Sequence, residues 1–428
     1  MTAFSQPPTT IHAARLRRQP LAGYRYVRLR WRVLFAVVDA LGAILFRLGR
    51  WMGRLAHGVD RRAAWPDPRR ILLVQLDHLG DAVLSAGMLA ALRRRWPEAA
   101  LEVLASRANR ELFAAMPEVD RVHVCHGNRF ARSGSGRWIW PLAILAWAWR
   151  LRLRQVDLAI DVRGDFPVAL LLWLCGAQRR VGWACGGGGF LLTDITPYVP
   201  GRAEAASRWA LLRPLGIAPT TTERTGPTFR PSAAARQRVV AVLDRELGEP
   251  SDSRPLVAVH LGAGTPAKQW PLEHWTRLIH WLHTQARARV VLIGAPEDRA
   301  RAAAIVAHDP PGVLNWTGRC GIEGLAALLE QTQLMIGADS GPAHLAAAVG
   351  TPVVVLFSGT NEVQQWRPEG AAVRVLRAAA PCSPCHREVC PVVGHPCMRS
   401  LSPMSVAEAV QPLLPPAACG DLLSGVAP

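Results

Sequence analysis

Short apolar segments alternate with helical stretches from residue 70 onward, and this alternation is the main structural signal of the chain. Such a pattern is typical of a parallel sheet with crossover helices. The first half predicts strands at 71–76, 101–105, 122–124 and 158–161, with helices at 82–95 and 138–153. The second half predicts strands at 256–260, 290–293, 313–315, 334–336 and 353–357, with helices at 272–286, 296–307, 322–330 and 342–349.

A polar stretch rich in proline and threonine, Pro219–Pro231, interrupts the alternation and predicts a linker. We therefore expect two α/β domains that face a cleft, at 70–218 and 233–428, joined by 219–232. Ligands of open parallel sheets bind outside the carboxyl ends of the strands, so the loops that follow the strands are the candidates for chemistry.

The segment before the first domain, residues 1–69, has a different pattern. Residues 1–20 are polar and contain prolines, which predicts a leader without fixed order. Seven arginines then flank the core Val33–Phe46, which is apolar except for Asp39 and would span about 21 Å as a helix, short of the ~30 Å of a bilayer core. This basic amphipathic helix either lies on an anionic membrane surface or packs on the folded domain with its arginines in solvent.

Charge is concentrated in the same segment. The 428 residues carry a net charge of +18, of which residues 1–70 hold +11, with fourteen arginines and three acids. The excess of positive charge lies in an apolar helix, and the sequence contains no pattern of a nucleic-acid-binding module. A membrane surface is therefore favoured over nucleic acid as the partner. Apolar residues make up 50% of the chain, which is sufficient for a large core.

Nine cysteines are present, and four of them lie within sixteen residues. This odd, clustered set is a poor disulfide framework, so we expect a cytoplasmic location. The spacing of Cys382, Cys385, Cys390 and Cys397 allows one loop, 382–397, to wrap a structural zinc or iron ion, between which spacing does not distinguish. The alternative is reduced, unligated thiols on a surface loop, and in either case we expect a role in stability or acceptor docking.

The exit loop of the first strand ends in Gly80 and Asp81, directly before a helix. Gly80 allows a tight backbone path, and Asp81 falls at or near the helix N-cap, so that capping is an alternative to any chemical role. The exit loop of the fourth strand reads D-V-R-G-D. Its Arg163 and Asp165 are candidates for acceptor contacts, and the alternative is a surface ion pair.

The second half opens with a strand that runs into the small-residue loop G-A-G-T-P-A-K-Q-W-P. Its backbone N–H groups and the following helix form a ready phosphate site, to which Lys268 adds a point charge. Lys268 is the only lysine among 50 basic residues. Because arginine fills every other basic position, we infer that a compact ammonium is required here.

A third loop reads I-G-A-D-S-G-P-A-H. Asp339 ends a strand, and the Ser340 hydroxyl with the amides of Ser340 and Gly341 can hold a second phosphate or a ribose. His344 lies about one turn into the next helix and faces the same way.

Together these motifs resemble glycosyltransferase family 9, the ADP-heptose:lipopolysaccharide heptosyltransferases. The strand-G-D-helix start, the G-x-G-x-x-x-K-x-W-P loop and the block D-S-G-P-x-H-L-A-A-A-x-G-T-P occur in the family's order between about residues 71 and 410. The cysteine loop is similar to the C-terminal element of heptosyltransferase II-like members. The resemblance implies a GT-B architecture of two Rossmann-like domains, inversion at the anomeric carbon and no catalytic metal.

The resemblance also implies roles. Asp81 would be the catalytic base. Independently of the resemblance, we place Gly80, Arg163 and Asp165, in the exit loops of the first half, on the acceptor side. The residues that would bind the donor, with Lys268 on its diphosphate, are Gly262, Gly264, Thr265, Lys268, Asp339, Ser340, Gly341 and His344. The implied reaction moves a heptose or related sugar from an ADP-sugar to a hydroxyl of a lipopolysaccharide core or other cell-envelope glycan. The acceptor would be a membrane-embedded glycolipid, reached from the inner face of the cytoplasmic membrane.

Two positions depart from the family pattern. Gln75 stands where members often have arginine, and Gly87 replaces a frequent proline, both on the expected acceptor side. The donor sugar and the acceptor therefore stay open. Alternatives are a transferase for another nucleotide sugar, an epimerase of the same fold, and a non-catalytic sugar-nucleotide-binding membrane scaffold.

Overall fold

The computed structural model describes residues 29–57, 65–125, 140–220, 228–248, 254–307, 312–370 and 372–415. The predicted leader at 1–20, the centre of the predicted linker and Cys419 lie outside the described residues. The predicted domain boundaries remain predictions.

In the described residues, the first half contains six strands and six α-helices. The strands are β1 (Arg70–Gln75), β2 (Ala100–Ser106), β3 (Arg121–Cys125), β4 (Leu158–Asp161), β5 (Arg179–Trp183) and β6 (Asp194–Thr196). The helices are α1 (Leu29–His57), α2 (Leu79–Arg95), α3 (Arg110–Ala114), α4 (Trp140–Arg152), α5 (Phe166–Leu174) and α6 (Glu204–Ala210).

The second half repeats this plan after α7 (Ala233–Leu247). Its strands are β7 (Leu256–His260), β8 (Arg289–Ile293), β9 (Val313–Asn315), β10 (Leu334–Ala338), β11 (Val353–Phe357) and β12 (Val373–Arg377). Its further helices are α8 (Leu272–Thr284), α9 (Arg299–Val306), α10 (Ile322–Glu330), α11 (Gly341–Val349), α12 (Val363–Trp366), α13 (Pro396–Arg399) and α14 (Pro403–Val410).

Each half forms one six-stranded parallel sheet. The strand order is β3-β2-β1-β4-β5-β6 in the first and β12-β11-β10-β7-β8-β9 in the second. Both orders reverse direction once, between β1 and β4 and between β7 and β10, which is the doubly wound Rossmann arrangement. The predicted α/β class with two parallel sheets is confirmed.

All nine predicted strands are present, and the sequence pattern missed β5, β6 and β12. Asp194–Thr196 has three residues, too few for a recognisable period. Strands β6 and β12 are also edge strands, which bury less apolar surface than central ones. The predicted helix at 296–307 divides into a 3₁₀ turn, Pro296–Asp298, and α9.

Alternate residues of β1 face two different apolar cores. Ile71 and Leu73 join a cluster that includes α2 and also α11 of the second half, while Leu72 and Val74 join a cluster with α4 and α5. The shared first cluster joins the two halves at the level of α2 and α11. The helices α4 and α5 cover the opposite face of the first sheet.

The N-terminal helix α1 packs on this opposite face. The Phe35 ring lies 6.0 Å from the Phe166 ring, and the Phe46 ring lies 5.7 Å from the Trp173 ring. Asp39 Oδ1 accepts a hydrogen bond of 2.6 Å from the backbone N–H of Gly188. Of the two alternatives that the sequence leaves open, packing on the folded domain is therefore observed. Among the described helices, none combines the length and apolarity needed to cross a bilayer.

A buried carboxylate on β2 predicts a pH dependence of stability. Glu102 accepts hydrogen bonds of 2.6 Å from both His123 and Arg154. Burial by itself would raise the pKa of Glu102, but these two partners outweigh it and lower the pKa to about 2. The ionised form thus stabilises the fold above the unfolded pKa of 4.5, and this contribution, up to about 3 kcal/mol, is lost as pH falls toward 2.

We expect Glu102→Gln to flatten the pH dependence of the urea unfolding midpoint between about pH 5 and pH 3. The exposed Glu98 provides the matched control, because Glu98→Gln removes a carboxylate without a described partner. An unchanged pH dependence in the Glu102 variant contradicts the assignment.

Candidate active site

The predicted loops all lie at the two switch points, the places where the strand order of each sheet reverses. Ligands of parallel sheets bind in the crevices at the strand ends there. The loop with Gly80 and Asp81 follows β1, and the loop with Arg163 and Asp165 follows β4. The Lys268 loop follows β7, and Asp339 follows β10.

The helices α2 and α11 touch at their N-termini. A Cβ added to Gly80 would lie 3.1 Å from Cδ2 of His344, and one added to Gly341 would lie 3.0 Å from Cβ of Leu79. Gly80 is within α2 and has no unusual backbone path, so the predicted reason for this glycine is wrong. A side chain at either position would press on the other helix, because two helices from different halves approach closely here.

Asp81 lies at this junction. The N-cap of α2 is His78, and Asp81 belongs to the first turn, so the capping alternative is wrong. Its Oδ1 accepts a hydrogen bond of 2.8 Å from Nη2 of Arg208. Oδ2 accepts none from any described residue, and the side chain is 18% exposed. One carboxylate oxygen is thus oriented by an ion pair while the other can reach a ligand.

Arg208 on α6 is a site residue that the sequence analysis missed. Its guanidinium is 2% exposed, donates from Nη1 to Glu204 Oε2 at 2.7 Å and from Nε to Ser85 Oγ at 2.9 Å. An acid and an arginine four residues apart are common on exposed helices, so the sequence carries no sign that this pair is buried. The buried arginine holds Asp81 in a fixed position.

The other half of the chain contacts this ion pair through Gln365 on α12. Glu204 Oε1 accepts hydrogen bonds of 2.7 Å from Gln365 Nε2 and from the hydroxyl of Tyr198. A continuous polar chain therefore runs from Asp81 through Arg208 and Glu204 to the second half.

The two departures from the family pattern have structural roles. Gln75 is fully buried, and its Nε2 donates to the carbonyl of Asp81 and to Ser85 Oγ, both at 2.9 Å. A Cβ at Gly87 would lie 3.2 Å from the Trp209 ring. Gln75 anchors the first turn of α2 from inside the fold. Its influence on acceptor identity remains a prediction.

Arg163 and Asp165 are less exposed than a surface ion pair would be, at 17% and 14% of their side chains. Arg163 Nε donates to Asp165 Oδ2 at 2.6 Å, and Nη1 pairs with Asp77 of the first exit loop. Asp165 also caps α5, because its Oδ1 accepts from the Val168 N–H. The pair joins two exit loops of the first sheet, and its contact with an acceptor remains a prediction.

Lys268 faces Asp339 across the second switch point. Its Nζ lies 2.5 Å from Asp339 Oδ2, which also accepts a hydrogen bond of 2.9 Å from Asn361 Nδ2. Nε2 of His344 lies 4.0 Å from Asp339 Oδ1. The ion pair holds the ammonium close to the N-terminus of α11.

Two buried histidines flank this helix start. Ser340 is the N-cap of α11, and its Oγ lies 3.1 Å from Nδ1 of His260 on β7. Burial lowers the pKa of His260 to about 4. Burial also lowers the pKa of His344, although the carboxylates of Asp339 and Asp81 oppose this shift. Nδ1 of His344 is buried and has no hydrogen-bond partner among the described residues. The junction between α2 and α11 therefore contains a neutral imidazole ring with a nitrogen that no described residue contacts by a hydrogen bond.

The Lys268 loop packs against a carboxylate. A Cβ at Gly262 would lie 2.3 Å from Oδ2 of Asp298, which explains why a glycine is required there. Gly264 follows in the same loop, and Oγ1 of Thr265 is buried without a partner among the described residues. Asp298 escaped the sequence analysis because nothing in the pattern connects it with this loop.

The cysteine loop 382–397 packs directly on the Lys268 loop. The N–H of Ala267 donates to Glu388 O at 2.9 Å, and His395 Nε2 donates to Ala267 O at 3.0 Å. The N–H of Cys385 donates to the carbonyl of Gly359, in the loop after β11. The loop thus supports the residue next to Lys268. Its expected role in stability or acceptor docking remains a prediction.

The four clustered cysteines Cys382, Cys385, Cys390 and Cys397 line one pocket together with His395. Within the described residues, however, no group of three or more histidine, cysteine, aspartate or glutamate side chains is arranged to hold a metal ion. No disulfide involves any of the eight described cysteines. The ligand geometry that the spacing predicts is therefore not observed.

Two Rossmann-like halves that share one apolar cluster form a GT-B architecture. The sequence pattern of glycosyltransferase family 9 (heptosyltransferase) matches residues 144–394. The chain belongs to this family and is a glycosyltransferase.

Known relatives agree with this assignment. The chain is 26% identical over 295 residues to lipopolysaccharide heptosyltransferase 3 of Escherichia coli, which covers 68% of this chain and 83% of the relative. It is 25% identical over 322 residues to lipopolysaccharide heptosyltransferase 2 of Escherichia coli strain K12, which covers 72% and 88%.

Solved structures share the fold. A glycosyltransferase of family 9 from Veillonella parvula has a TM-score of 0.68 at 20% identity and covers 82% of this chain and 98% of its own. The ADP-heptose lipopolysaccharide heptosyltransferase II of Escherichia coli has a TM-score of 0.62 at 23% identity and covers 80% and 98%. The predicted family and GT-B fold are confirmed.

Proposed function

We propose that the protein is an inverting transferase that moves a heptose or related sugar from an ADP-sugar to a hydroxyl of a lipopolysaccharide core or other cell-envelope glycan. One observation carries the proposal. Asp81, with one oxygen available to a ligand, lies on α2 at its contact with α11, and Lys268 lies beside the start of α11. The lipopolysaccharide heptosyltransferases that match most of the chain support heptose as the sugar.

The base in this proposal is Oδ2 of Asp81. The acceptor oxygen attacks the anomeric carbon from the face opposite the diphosphate, and its proton moves to Asp81 as the bond forms. The bond from the anomeric carbon to the phosphate oxygen breaks, and its electron pair leaves with the nucleoside diphosphate. Arg208 acts as a positioning residue, because it orients Oδ1 and thereby directs Oδ2.

The leaving diphosphate requires positive charge. We assign this role to the Lys268 ammonium and the N-terminal N–H groups of α11, which together supply it without a divalent ion. Asp339 holds the ammonium near the helix start, and Asn361 keeps Asp339 in place. Thr265, Ser340 and His344 carry the polar atoms nearest this loop and helix and would contact the donor.

The acceptor in this proposal is a membrane-embedded glycolipid that enters from the side of Gly80, Arg163 and Asp165. The protein would then work at the inner face of the cytoplasmic membrane. This location agrees with the arginine-rich α1 and with relatives that act on lipopolysaccharide.

The donor side is tested with Lys268→Arg. We expect the affinity for ADP-heptose to fall roughly tenfold or more although the charge is kept, because a planar guanidinium is larger than the ammonium that fits beside Asp339. Isothermal titration measures the dissociation constant. Arg319→Lys, in the exposed ion pair with Glu246, is the control with unchanged charge. An unchanged dissociation constant for Lys268→Arg rejects the size argument.

The class of donor is tested by a thermal-shift screen of nucleotide sugars, followed by transfer assays with the sugars that bind. Stabilisation by ADP-sugars with transfer to a lipopolysaccharide-core acceptor supports the proposal. Preference for a UDP-sugar indicates a different transferase or an epimerase instead. Binding without turnover indicates the non-catalytic scaffold.

A further inference from the structure

The helix α1 has two apolar faces, of which only one is covered. Phe35, Asp39 and Phe46 point into the first domain, as described above. On another side, residues three or four apart remain 45% to 68% exposed: Leu34, Val37, Leu41, Ile44, Leu45 and Leu48. A helix that needed only to pack on the domain would carry polar residues on this second side.

A second helix shows the same division. On α4, Ile144, Ala148 and Leu151 are buried against the sheet. Apolar side chains also point away from the sheet and are 54% to 69% exposed: Leu142, Leu145 and Trp149, followed by Leu153. Exposed apolar surface of this kind on a folded domain marks an interaction site.

Both helices lie on the same face of the first sheet. Trp173 of α5 is 40% exposed, its ring contacts Phe46 of α1, and α5 packs along α4. The outer layer α4-α5-α1 thus presents exposed apolar side chains from all three helices, here called the outer apolar face.

The charges around this face are all positive in the described part of the two helices. Arg30 of α1 and Arg150 and Arg152 of α4 are exposed, and α4 contains no acid. The single acid of α1, Asp39, is turned inward to Gly188. A second copy of the chain would bring arginines against arginines, whereas anionic lipid complements them.

We propose that the outer apolar face is a membrane-docking surface, in which α4 and Trp173 enter the interface of an anionic bilayer beside α1. The exposed tryptophans, Trp149 and Trp173, suit the boundary between head groups and acyl chains. The inference rests on the membrane location proposed above and extends it from the N-terminal helix to the catalytic domain. The domain therefore has a fixed orientation on the bilayer.

The test is co-sedimentation of the full-length protein with vesicles of phosphatidylcholine, with and without phosphatidylglycerol. We expect Leu145→Glu/Trp149→Glu to bind anionic vesicles at least about tenfold more weakly than the wild type, because two side chains no longer bury apolar surface in the interface. The control is Met404→Glu/Val306→Glu, which adds the same charge at two exposed apolar positions of the second half.

The outcomes are separable. Weaker binding of the α4 variant alone, with ADP-induced thermal shifts equal to those of the wild type, supports the proposal. Equal binding of both variants and the wild type overturns it. A dimer in sedimentation velocity that the α4 variant converts to a monomer overturns it as well, because the face then binds a second copy. Since no step requires sugar transfer, failure of this inference is distinct from failure of the proposed function.

Discussion

Asp81→Ala is expected to abolish sugar transfer and to leave ADP binding unchanged. Loss of a general base lowers the rate of the chemical step by about 10² to 10⁴. The affinity for the donor remains unchanged, because Asp81 lies on α2 of the first half. The Lys268 loop and the start of α11, which we expect to bind the donor, belong to the second half. Single-turnover transfer measures the first quantity, and isothermal titration with ADP measures the second.

The control for this prediction is Asp244→Ala, which removes an exposed carboxylate of α7, outside the loops of both switch points. Transfer by the Asp81 variant at the wild-type rate rejects the base assignment. A loss of ADP binding equal to the loss of transfer indicates instead that Asp81 acts through the contact between α2 and α11.

Arg208→Met is expected to lower both stability and transfer. Breaking a buried ion pair leaves an uncompensated charge, here on Glu204, which is 5% exposed, and typically costs about 3 to 5 kcal/mol of unfolding free energy. Transfer falls because Asp81 loses the donor that orients its Oδ1. Urea unfolding and single-turnover kinetics measure the two effects.

A double variant separates positioning from stability. Arg208→Met/Glu204→Gln removes both buried charges, so we expect much of the lost stability to return. Transfer stays low, because Asp81 still lacks its partner. Recovery of transfer together with stability shows that Arg208 has only a structural role.

The strands and their exit loops were predictable because their signals are local. A buried strand such as Val353–Phe357 is a continuous apolar run. A glycine-rich loop directly after a strand is typical of a binding loop. Lys268 was identified because a single lysine among 49 arginines is visible in composition alone. Short edge strands, such as Asp194–Thr196, have too few residues to show a period.

Residues that act through distant partners were not predictable. The partner of Arg208 in the site, Asp81, is 127 residues away, and Gln365 reaches Glu204 over 161 residues. Nothing in a single sequence indicates which of many arginines is buried against which acid. The placement of the cysteine loop on Ala267 was also not predicted, because His395 and Ala267 are 128 residues apart in the chain.

The sequence by itself determined the α/β class, the two-domain plan, the family and the three loops with their principal residues, because strand periods, helix starts and loop composition are properties of neighbouring positions. The tertiary structure decided what those residues contact. It showed that Gly80 and Gly341 are small because two helices touch, that Asp81 is held by a buried arginine, and that α1 packs on the domain while keeping a second apolar side exposed. Each of these depends on contacts between segments far apart in the chain, and burial arises only when the segments are packed together.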